Sequence, residues 1–380
     1  MTTPQRILIS MIDGFGTDYF EASPLPTLNR MAGSGFSQNV EAVIPSVTNA
    51  NNVSICCGVL PREHGITGNY YFNEADGQHD YMENAEFIRV PTLMQRAAAQ
   101  GVRSALLTCK KKTVNLLAGG CEIAIAAEAP AEEYVARHGP APDIYSREIN
   151  YWLWRVAIDI LANRPDIGLL YVHTTDYPMH QWAPDAPESI EHMETLDKLH
   201  AEAAAVAPDA AFFITADHGM NYKRRCWDLG KACANRGTPV RFAMSAEKDR
   251  YVKHHRTFGG AAWVYLNDPA DAQQVAETLQ SLTGVERVMS REEAARHWGL
   301  LPERIGHLCV FGDRDTVFGE MEGEYEDLPE GYRSHGSPHE LQVPLIIYNY
   351  QDALPPAERF VHNADLTHML YRLTLPTTCR

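Results

Sequence analysis

The chain has 380 residues, of which 45% are hydrophobic and 22% are charged. This composition is typical of a globular protein with a sizeable core and excludes a mainly disordered chain. Acidic residues (49) outnumber basic ones (33), and the formal net charge of −16 disfavours general attraction to nucleic acid or anionic lipid. An anionic substrate therefore requires a locally positive site.

The amino-terminal residues and the cysteines predict a cytoplasmic protein. The apolar run at residues 7–12 is too short for a signal sequence or a membrane span. The eight cysteines are scattered apart from Cys56-Cys57, and no CxxC pair is present. This pattern favours reduced thiols over a disulfide framework or a thiolate zinc site. Any metal ligands are therefore expected to be histidines and carboxylates.

Short apolar runs predict buried strands that alternate with helical patterns. The predicted strands are residues 7–12, 168–174, 211–216 and 343–348, and the predicted helices are residues 27–32, 92–100, 148–163 and 188–206. This alternation predicts an α/β fold with a mostly parallel sheet. Asp13, Asp176 and Asp217 follow the first three strands. Because ligands bind outside the carboxyl ends of such strands, these acids predict a functional site.

The pattern changes between Cys226 and Arg304. A strand at 261–266, a helical pattern at 270–282, a strand at 285–289 and a helix at 291–298 predict a small α+β unit. We therefore predict a catalytic core formed by residues 1–225 and 305–380, with a cap inserted at 226–304.

Six aspartate and histidine side chains form a candidate metal site. They are Asp13, Asp176, His180, Asp217, His218 and His335. Asp176-x-x-x-His180 and Asp217-His218 each pair two ligands, although either pair alone is better explained by a helix cap or a turn. The full set suits two divalent ions, and zinc is preferred over manganese or iron.

Thr48 lies at the start of a predicted helix that runs to Cys57. The helix dipole and the free N–H groups favour an alkoxide or a phosphate at such a position. Ser46 or Thr48 acting only as a helix cap is the alternative. A metal bound beside Thr48 would activate its hydroxyl as a nucleophile. Asn69 is a candidate donor to a phosphoryl oxygen, or an ordinary turn asparagine.

Two clusters of basic residues stand out in this acidic chain. They are Lys110-Lys111-Lys112 and Lys223-Arg224-Arg225. Lysines in such runs are usually solvated surface residues. The position of Lys223, shortly after Asp217-His218, favours substrate contact.

Six motifs spread along the chain together resemble those of phosphonoacetate hydrolases of the alkaline phosphatase superfamily. The motifs are Met11-Ile12-Asp13-Gly14, Pro45-Ser46-Val47-Thr48-Asn49-Ala50-Asn51-Asn52, His64-Gly65-Ile66-Thr67-Gly68-Asn69-Tyr70, Thr174-Thr175-Asp176-Tyr177, Thr215-Ala216-Asp217-His218-Gly219-Met220-Asn221 and Arg333-Ser334-His335-Gly336. The resemblance implies an alkaline-phosphatase-like α/β sheet with helices on both faces and a small α+β cap. It also implies two zinc sites, one formed by Asp13, Thr48, Asp217 and His218 and the other by Asp176, His180 and His335.

The resemblance further implies a substrate and a reaction. Phosphonoacetate, or a closely related carboxylated phosphonate, would be cleaved at its carbon–phosphorus bond to phosphate and acetate through a phosphothreonine at Thr48. Lys110 and Lys112, in a segment similar to the family's Thr-Ala-Lys-Asp-Lys, and Lys223 would bind the substrate carboxylate, and Asn69 a phosphoryl oxygen.

Other functions remain open at this point. Nucleotide pyrophosphatases and phosphodiesterases of the same superfamily resemble the metal-ligand pattern equally well, so such an activity is the first alternative. A catalytically idle metal- and phosphate-binding protein is the second. The expected partner is a small anionic phosphonate or phosphate ester, with neither nucleic acid nor membrane. The sequence leaves open whether two copies form a homodimer.

Overall fold

The computed structural model describes residues 5–250 and 256–371. Its strands are β1 (Ile7–Met11), β2 (Phe36–Glu41), β3 (Tyr70–Phe72), β4 (His79–Tyr81), β5 (Arg103–Thr108), β6 (Ile123–Ala126), β7 (Ile167–His173), β8 (Ala211–Thr215), β9 (Asn221–Tyr222), β10 (Arg225–Trp227), β11 (Phe242–Ser245), β12 (Ala261–Tyr265), β13 (Val285–Ser290), β14 (Leu308–Gly312), β15 (Thr316–Phe318), β16 (Tyr325–Asp327), β17 (Arg333–Ser334) and β18 (Gln342–Tyr348). Its α-helices are α1 (Thr17–Ala22), α2 (Pro26–Ser34), α3 (Thr48–Cys57), α4 (Pro61–His64), α5 (Leu93–Ala99), α6 (Lys111–Leu117), α7 (Glu132–His138), α8 (Glu148–Asn163), α9 (Tyr177–Gln181), α10 (Pro187–Val206), α11 (Leu229–Asn235), α12 (Ala272–Gln280), α13 (Arg291–Trp298) and α14 (Asp365–His368).

A seven-stranded sheet in the order β2-β18-β8-β1-β7-β5-β6 forms the centre of the molecule. β1 runs parallel to β7 and β8, and β5 runs parallel to β6 and β7. β18 is antiparallel to both of its neighbours, β8 and β2. The predicted α/β fold with a mostly parallel sheet is therefore confirmed. The four predicted strands became β1, β7, β8 and β18, whereas β2, β5 and β6 were not predicted.

Helices cover both faces of this sheet. Tyr171 on β7 donates its hydroxyl hydrogen to Asn52 of α3 at 2.6 Å. Ser10 on β1 contacts His200 of α10 at 2.9 Å, and the register pairs Ser10 with the residue after Tyr171. Because successive residues of a strand point to opposite faces, α3 and α10 lie on opposite sides. The strands between them are buried on both faces, which explains why the sequence shows them as continuous apolar runs.

The long predicted helices are present in the structure. The predicted helix 148–163 is α8, and its Trp152, Val156 and Ile160, spaced four residues apart, are buried. The predicted helices 27–32, 92–100 and 188–206 are α2, α5 and α10, with shifts of only a few residues at their ends. In the part of the chain that the structure describes, none of the helices has both the length and the apolar character that crossing a bilayer requires. The cytoplasmic location stays a prediction.

A four-stranded antiparallel sheet, in the order β11-β12-β14-β13, forms a second layer. One face, with Trp263 and Phe311, joins the main hydrophobic core, and the other face, with Val264 and Val310, packs with residues of α11 and α12. This sheet runs from Phe242 to Gly312 and so continues past residue 304. The division of the chain into a core and a cap at 226–304 stays a prediction.

Candidate active site

The three aspartates predicted at the sheet edge lie together in the structure. β8, β1 and β7 are neighbours, and Met11 pairs in register with Thr215 and with His173, so the three strands end level. Asp13, Asp176 and Asp217 follow within two or three residues of these ends and are buried. Parallel strands of equal register therefore deliver three carboxylates to one edge of the sheet.

The first group of candidate ligands consists of Asp13, Asp217 and His218, whose ligand atoms lie within 4.8 Å of one another. Thr48 is beside them, since its Oγ1 is 3.5 Å from Asp13 Oδ1 and 3.4 Å from His218 Nε2. α3 begins at Thr48, and its N-cap residue Val47 is extended, with no side-chain hydrogen bond capping the helix. Thr48 thus lies against the first group, and the N-cap position belongs to Val47 rather than to Ser46 or Thr48.

The second group consists of Asp176, His218 and His335. His180 adjoins it, because its Nε2 lies 2.9 Å from Asp176 Oδ2. The rings of His218 and His335 stack with centroids 3.6 Å apart. The resemblance implied two separate ligand sets, whereas the structure places His218 within reach of both.

The histidines of the site share one hydrogen-bond pattern. Nδ1 of His180 is 2.8 Å from the carbonyl oxygen of Arg333, Nδ1 of His335 is 2.8 Å from that of Ser46, and Nδ1 of His218 is 3.0 Å from that of Gly219. A carbonyl only accepts, so each Nδ1 carries a hydrogen and Nε2 is the ring nitrogen that faces the other site residues. This arrangement is the usual one for metal-ligating histidines.

The electrostatics of the site also fit a bound cation. Burial, and then the neighbouring Asp13, raise the pKa of Asp217 well above its usual value. Within the described residues, Asp217 Oδ2 is buried without a hydrogen-bond partner. Burial lowers the pKa of His218 and of His335, which keeps both imidazoles neutral. Clustered carboxylates and neutral imidazoles are the donor set that a borderline divalent ion takes.

Lys110 reaches both groups of ligands. Its Nζ donates to Asp13 Oδ2 at 3.0 Å and to Asp176 Oδ1 at 3.3 Å. Burial lowers the pKa of Lys110, but the two aspartates outweigh it and raise this pKa well above the usual value. The structure therefore places a charged lysine among the candidate ligands, and substrate binding by Lys110 stays a prediction.

The other two predicted substrate lysines have partners of their own. Lys112 Nζ forms an ion pair with the buried carboxylate of Asp249. Lys223 Nζ donates to Glu340 Oε1 at 2.8 Å and to the carbonyl of Arg314 at 3.1 Å, and both charged side chains are fully buried. The described contacts of Lys223 include none of the candidate metal ligands. Substrate binding by these lysines stays a prediction.

Replacing Lys223 by methionine is expected to lower the free energy of unfolding by about 3–5 kcal/mol, because Glu340 would remain as an uncompensated buried charge. Urea unfolding measures this effect. The matched control is Lys231→Met, which breaks the part-exposed Lys231–Asp228 pair and should cost less than about 1 kcal/mol. Adding Glu340→Gln to Lys223→Met should restore part of the loss. Unchanged stability of the single variant would show that the pair is not structural.

His173 was not predicted as a site residue, although it lies at the end of the predicted strand 168–174. Its Nε2 lies 3.2 Å from Asp13 Oδ2, and its Nδ1 lies 2.9 Å from Thr108 Oγ1. Its position at the carboxyl end of a predicted strand was the one available signal. Asn69, which was predicted, donates its side-chain amide to the carbonyl of Glu247 at 3.2 Å.

The fold is that of the nucleotide pyrophosphatase/phosphodiesterase branch of the alkaline phosphatase superfamily. The family model described as type I phosphodiesterase / nucleotide pyrophosphatase matches residues 7–338. The chain therefore belongs to this family.

Solved structures refine the likeness. A crystal structure of phosphonoacetate hydrolase from Sinorhizobium meliloti 1021 in complex with phosphonoformate is 30% identical, with a TM-score of 0.87, and the match covers 97% of this chain and 95% of that one. The same enzyme in complex with phosphonoacetate matches with a TM-score of 0.86, 30% identity and the same coverage. Murine ectonucleotide pyrophosphatase / phosphodiesterase 5, at 16% identity and a TM-score of 0.71 over 98% of this chain and 96% of that one, shares the fold.

Curated relatives are more distant in sequence. The venom phosphodiesterase of Naja atra is 25% identical over 50% of this chain. The match covers only 22% of that protein's length. The bis(5'-adenosyl)-triphosphatase enpp4 of Xenopus laevis is 21% identical over 84% of this chain and 67% of its own length.

Proposed function

We propose that the protein hydrolyses the carbon–phosphorus bond of phosphonoacetate, or of a closely related carboxylated phosphonate, to phosphate and acetate. The observation that carries the proposal is the position of Thr48 at the amino end of α3, with Asp13 and His218 within 3.5 Å of its hydroxyl oxygen. Lys110, held between Asp13 and Asp176, supports an anionic substrate. The similarity to a phosphonoacetate hydrolase solved in complex with phosphonoacetate supports phosphonoacetate as the substrate.

Two divalent ions, for which we propose zinc, complete the site. The first would be held by Asp13, Thr48, Asp217 and His218, and the second by Asp176, His180 and His335, with His218 close to both. When bound, such ions lower the pKa of a coordinated hydroxyl and neutralise charge on phosphoryl oxygens. The buried, neutral imidazoles and the clustered carboxylates of this chain fit that role.

The residues of the chain then divide the reaction between them. Thr48 gives up its proton, and its oxygen attacks phosphorus in line with the bond to carbon. The free N–H groups at the start of α3 face the phosphoryl oxygens, and we assign the second amide N–H of Asn69 to the same task. The phosphorus–carbon bond breaks as the phosphorus–oxygen bond forms, which leaves a phosphothreonine.

The leaving group explains the requirement for a carboxylate. The electron pair of the broken bond passes to carbon, where the adjacent carboxylate delocalises it. The carbon takes up one proton to give acetate, which balances the proton that Thr48 released. We assign stabilisation of this charge to Lys110 and Lys112. Water then cleaves the phosphothreonine and restores the hydroxyl of Thr48, so the sum of the two steps is phosphonoacetate plus water to acetate plus phosphate.

A paired substrate assay tests this function. Phosphonoacetate and a nitrophenyl phosphodiester are supplied to the zinc-loaded protein under the same conditions, with acetate, phosphate and nitrophenol as readouts. We expect equal amounts of acetate and phosphate from phosphonoacetate. Lys110→Met and Lys112→Met, checked for unchanged zinc content, should raise KM for phosphonoacetate by about tenfold or more, the value of one charged hydrogen bond, and affect the diester less.

The alternatives predict other results in the same assay. Turnover of the diester without turnover of phosphonoacetate would identify a phosphodiesterase. Zinc binding without turnover of either compound would support an idle metal- and phosphate-binding protein.

A further inference from the structure

Arg333 is a buried residue that the proposed mechanism does not use. It is 3% exposed, and it lies on the short strand β17, where it pairs with Tyr222 of β9. Its guanidinium lies over the exposed ring of Tyr222, 4.7 Å from the ring centroid. The residue thus lies beside His180 of the second ligand group, with its guanidinium against an aromatic ring.

The guanidinium binds backbone carbonyls of two segments that carry candidate ligands. Nε donates to the carbonyl of Met179, directly before His180, at 2.8 Å, and Nη2 donates to the carbonyl of Met220, two residues after His218, at 3.2 Å. Nη2 also donates to Tyr19 Oη at 3.0 Å. The planar fork of an arginine permits these simultaneous bonds in fixed directions, which a lysine cannot reproduce.

The backbone of Arg333 contributes at the same place. Its carbonyl oxygen accepts the hydrogen bond from His180 Nδ1 at 2.8 Å, and His335 follows two residues later. One residue therefore connects α9, the segment after β8, and the segment that carries His335. A displacement of Arg333 would move His180 relative to His218 and His335.

We propose that Arg333 is a positioning residue that sets the geometry of the second metal site. This inference rests on the two-metal assignment of the proposed function. It requires that the guanidinium hold the carbonyl of Met179, and that the Arg333 carbonyl hold His180 Nδ1, so that His180 faces Asp176 at ligand distance. Outer partners of metal ligands typically change metal affinity by about 10- to 100-fold when they are replaced.

Zinc titration against a competing chelator tests the proposal without requiring turnover. We expect the wild-type chain to bind two equivalents of zinc. Arg333→Met should keep one equivalent at near wild-type affinity and weaken the other by about 10- to 100-fold. Arg333→Lys keeps the charge and can restore a single hydrogen bond, so its affinity for the second zinc should lie between those of the wild type and Arg333→Met. It serves as the second variant if Arg333→Met does not fold.

Arg304→Met is the matched control. Arg304 also donates to two backbone carbonyls, of Gly65 at 2.7 Å and of Phe87 at 2.6 Å, in segments without candidate ligands. Its replacement should lower stability and leave both zinc affinities unchanged. The inference would be overturned if both Arg333 variants bound zinc at both sites with wild-type affinity, or if zinc affinity fell equally at both sites. Two zinc sites in the wild type without phosphonoacetate turnover would instead contradict the proposed function and leave this inference standing.

Discussion

Replacing Thr48 by alanine is expected to lower kcat by about 10⁴-fold or more, the scale of loss when a nucleophile is removed. The variant loses the only atom that can form the phosphothreonine, while Asp13, Asp217 and His218 stay in place. The expectation rests on the position of the Thr48 hydroxyl oxygen, which lies 3.4 Å from His218 Nε2 and 3.5 Å from Asp13 Oδ1. Steady-state turnover of phosphonoacetate, measured with zinc content on the same samples, checks the result.

Thr48→Ser is the matched variant for this experiment. It keeps a hydroxyl on the same residue and should retain measurable turnover. Rapid acid quenching followed by mass spectrometry should locate a phosphoryl group on the peptide that contains residue 48 in the wild type, and none in Thr48→Ala. A metal-loaded Thr48→Ala protein with wild-type turnover would disprove the assignment of the nucleophile.

Replacing His218 by alanine should weaken zinc binding at both sites and lower turnover by about 10³-fold or more, since several kcal/mol of metal-derived charge stabilisation would be lost. His218 belongs to both ligand groups, whereas His180 lies beside Asp176 and His335 of the second group. His180→Ala should therefore weaken one zinc equivalent and leave the other. Chelator competition gives the affinities, and assay after removal and return of zinc gives the dependence of turnover.

His200→Ala controls for the loss of a buried imidazole. His200 is buried, burial lowers its pKa to about 4, and its Nδ1 lies 2.7 Å from the carbonyl oxygen of Leu196. It thus shares the burial and the Nδ1–carbonyl contact of the site histidines, but its Nε2 contacts the hydroxyl of Ser10. Its replacement should reduce stability without changing zinc binding. Equal effects of His200→Ala and His218→Ala on zinc would contradict the metal assignment.

The strands that were predicted are those whose burial is visible in the local sequence. β1, β7 and β8 lie between two layers of helices, so nearly all of their residues are apolar, and the aspartates that follow them had to emerge at one edge of the sheet. β2 at the edge of the sheet, with the alternating burial of Phe36–Glu41, and the four-residue β6 lack this signal. The reversed direction of β18 leaves no trace in its composition, because an antiparallel strand under the same helices needs the same apolar residues.

The sequence by itself determined which residue types the site contains and that the strand-end acids would meet. It did not determine the partners of the lysines. Lys110 lies between Asp13 and Asp176, while Lys223 is neutralised by Glu340, which is 117 positions away in the chain. Ion-pair partners depend on distances in space between segments far apart in sequence, and those distances exist only after the sheet and its loops have packed. The tertiary structure alone therefore decided that His218 is shared by both ligand groups and that Arg333 supports His180.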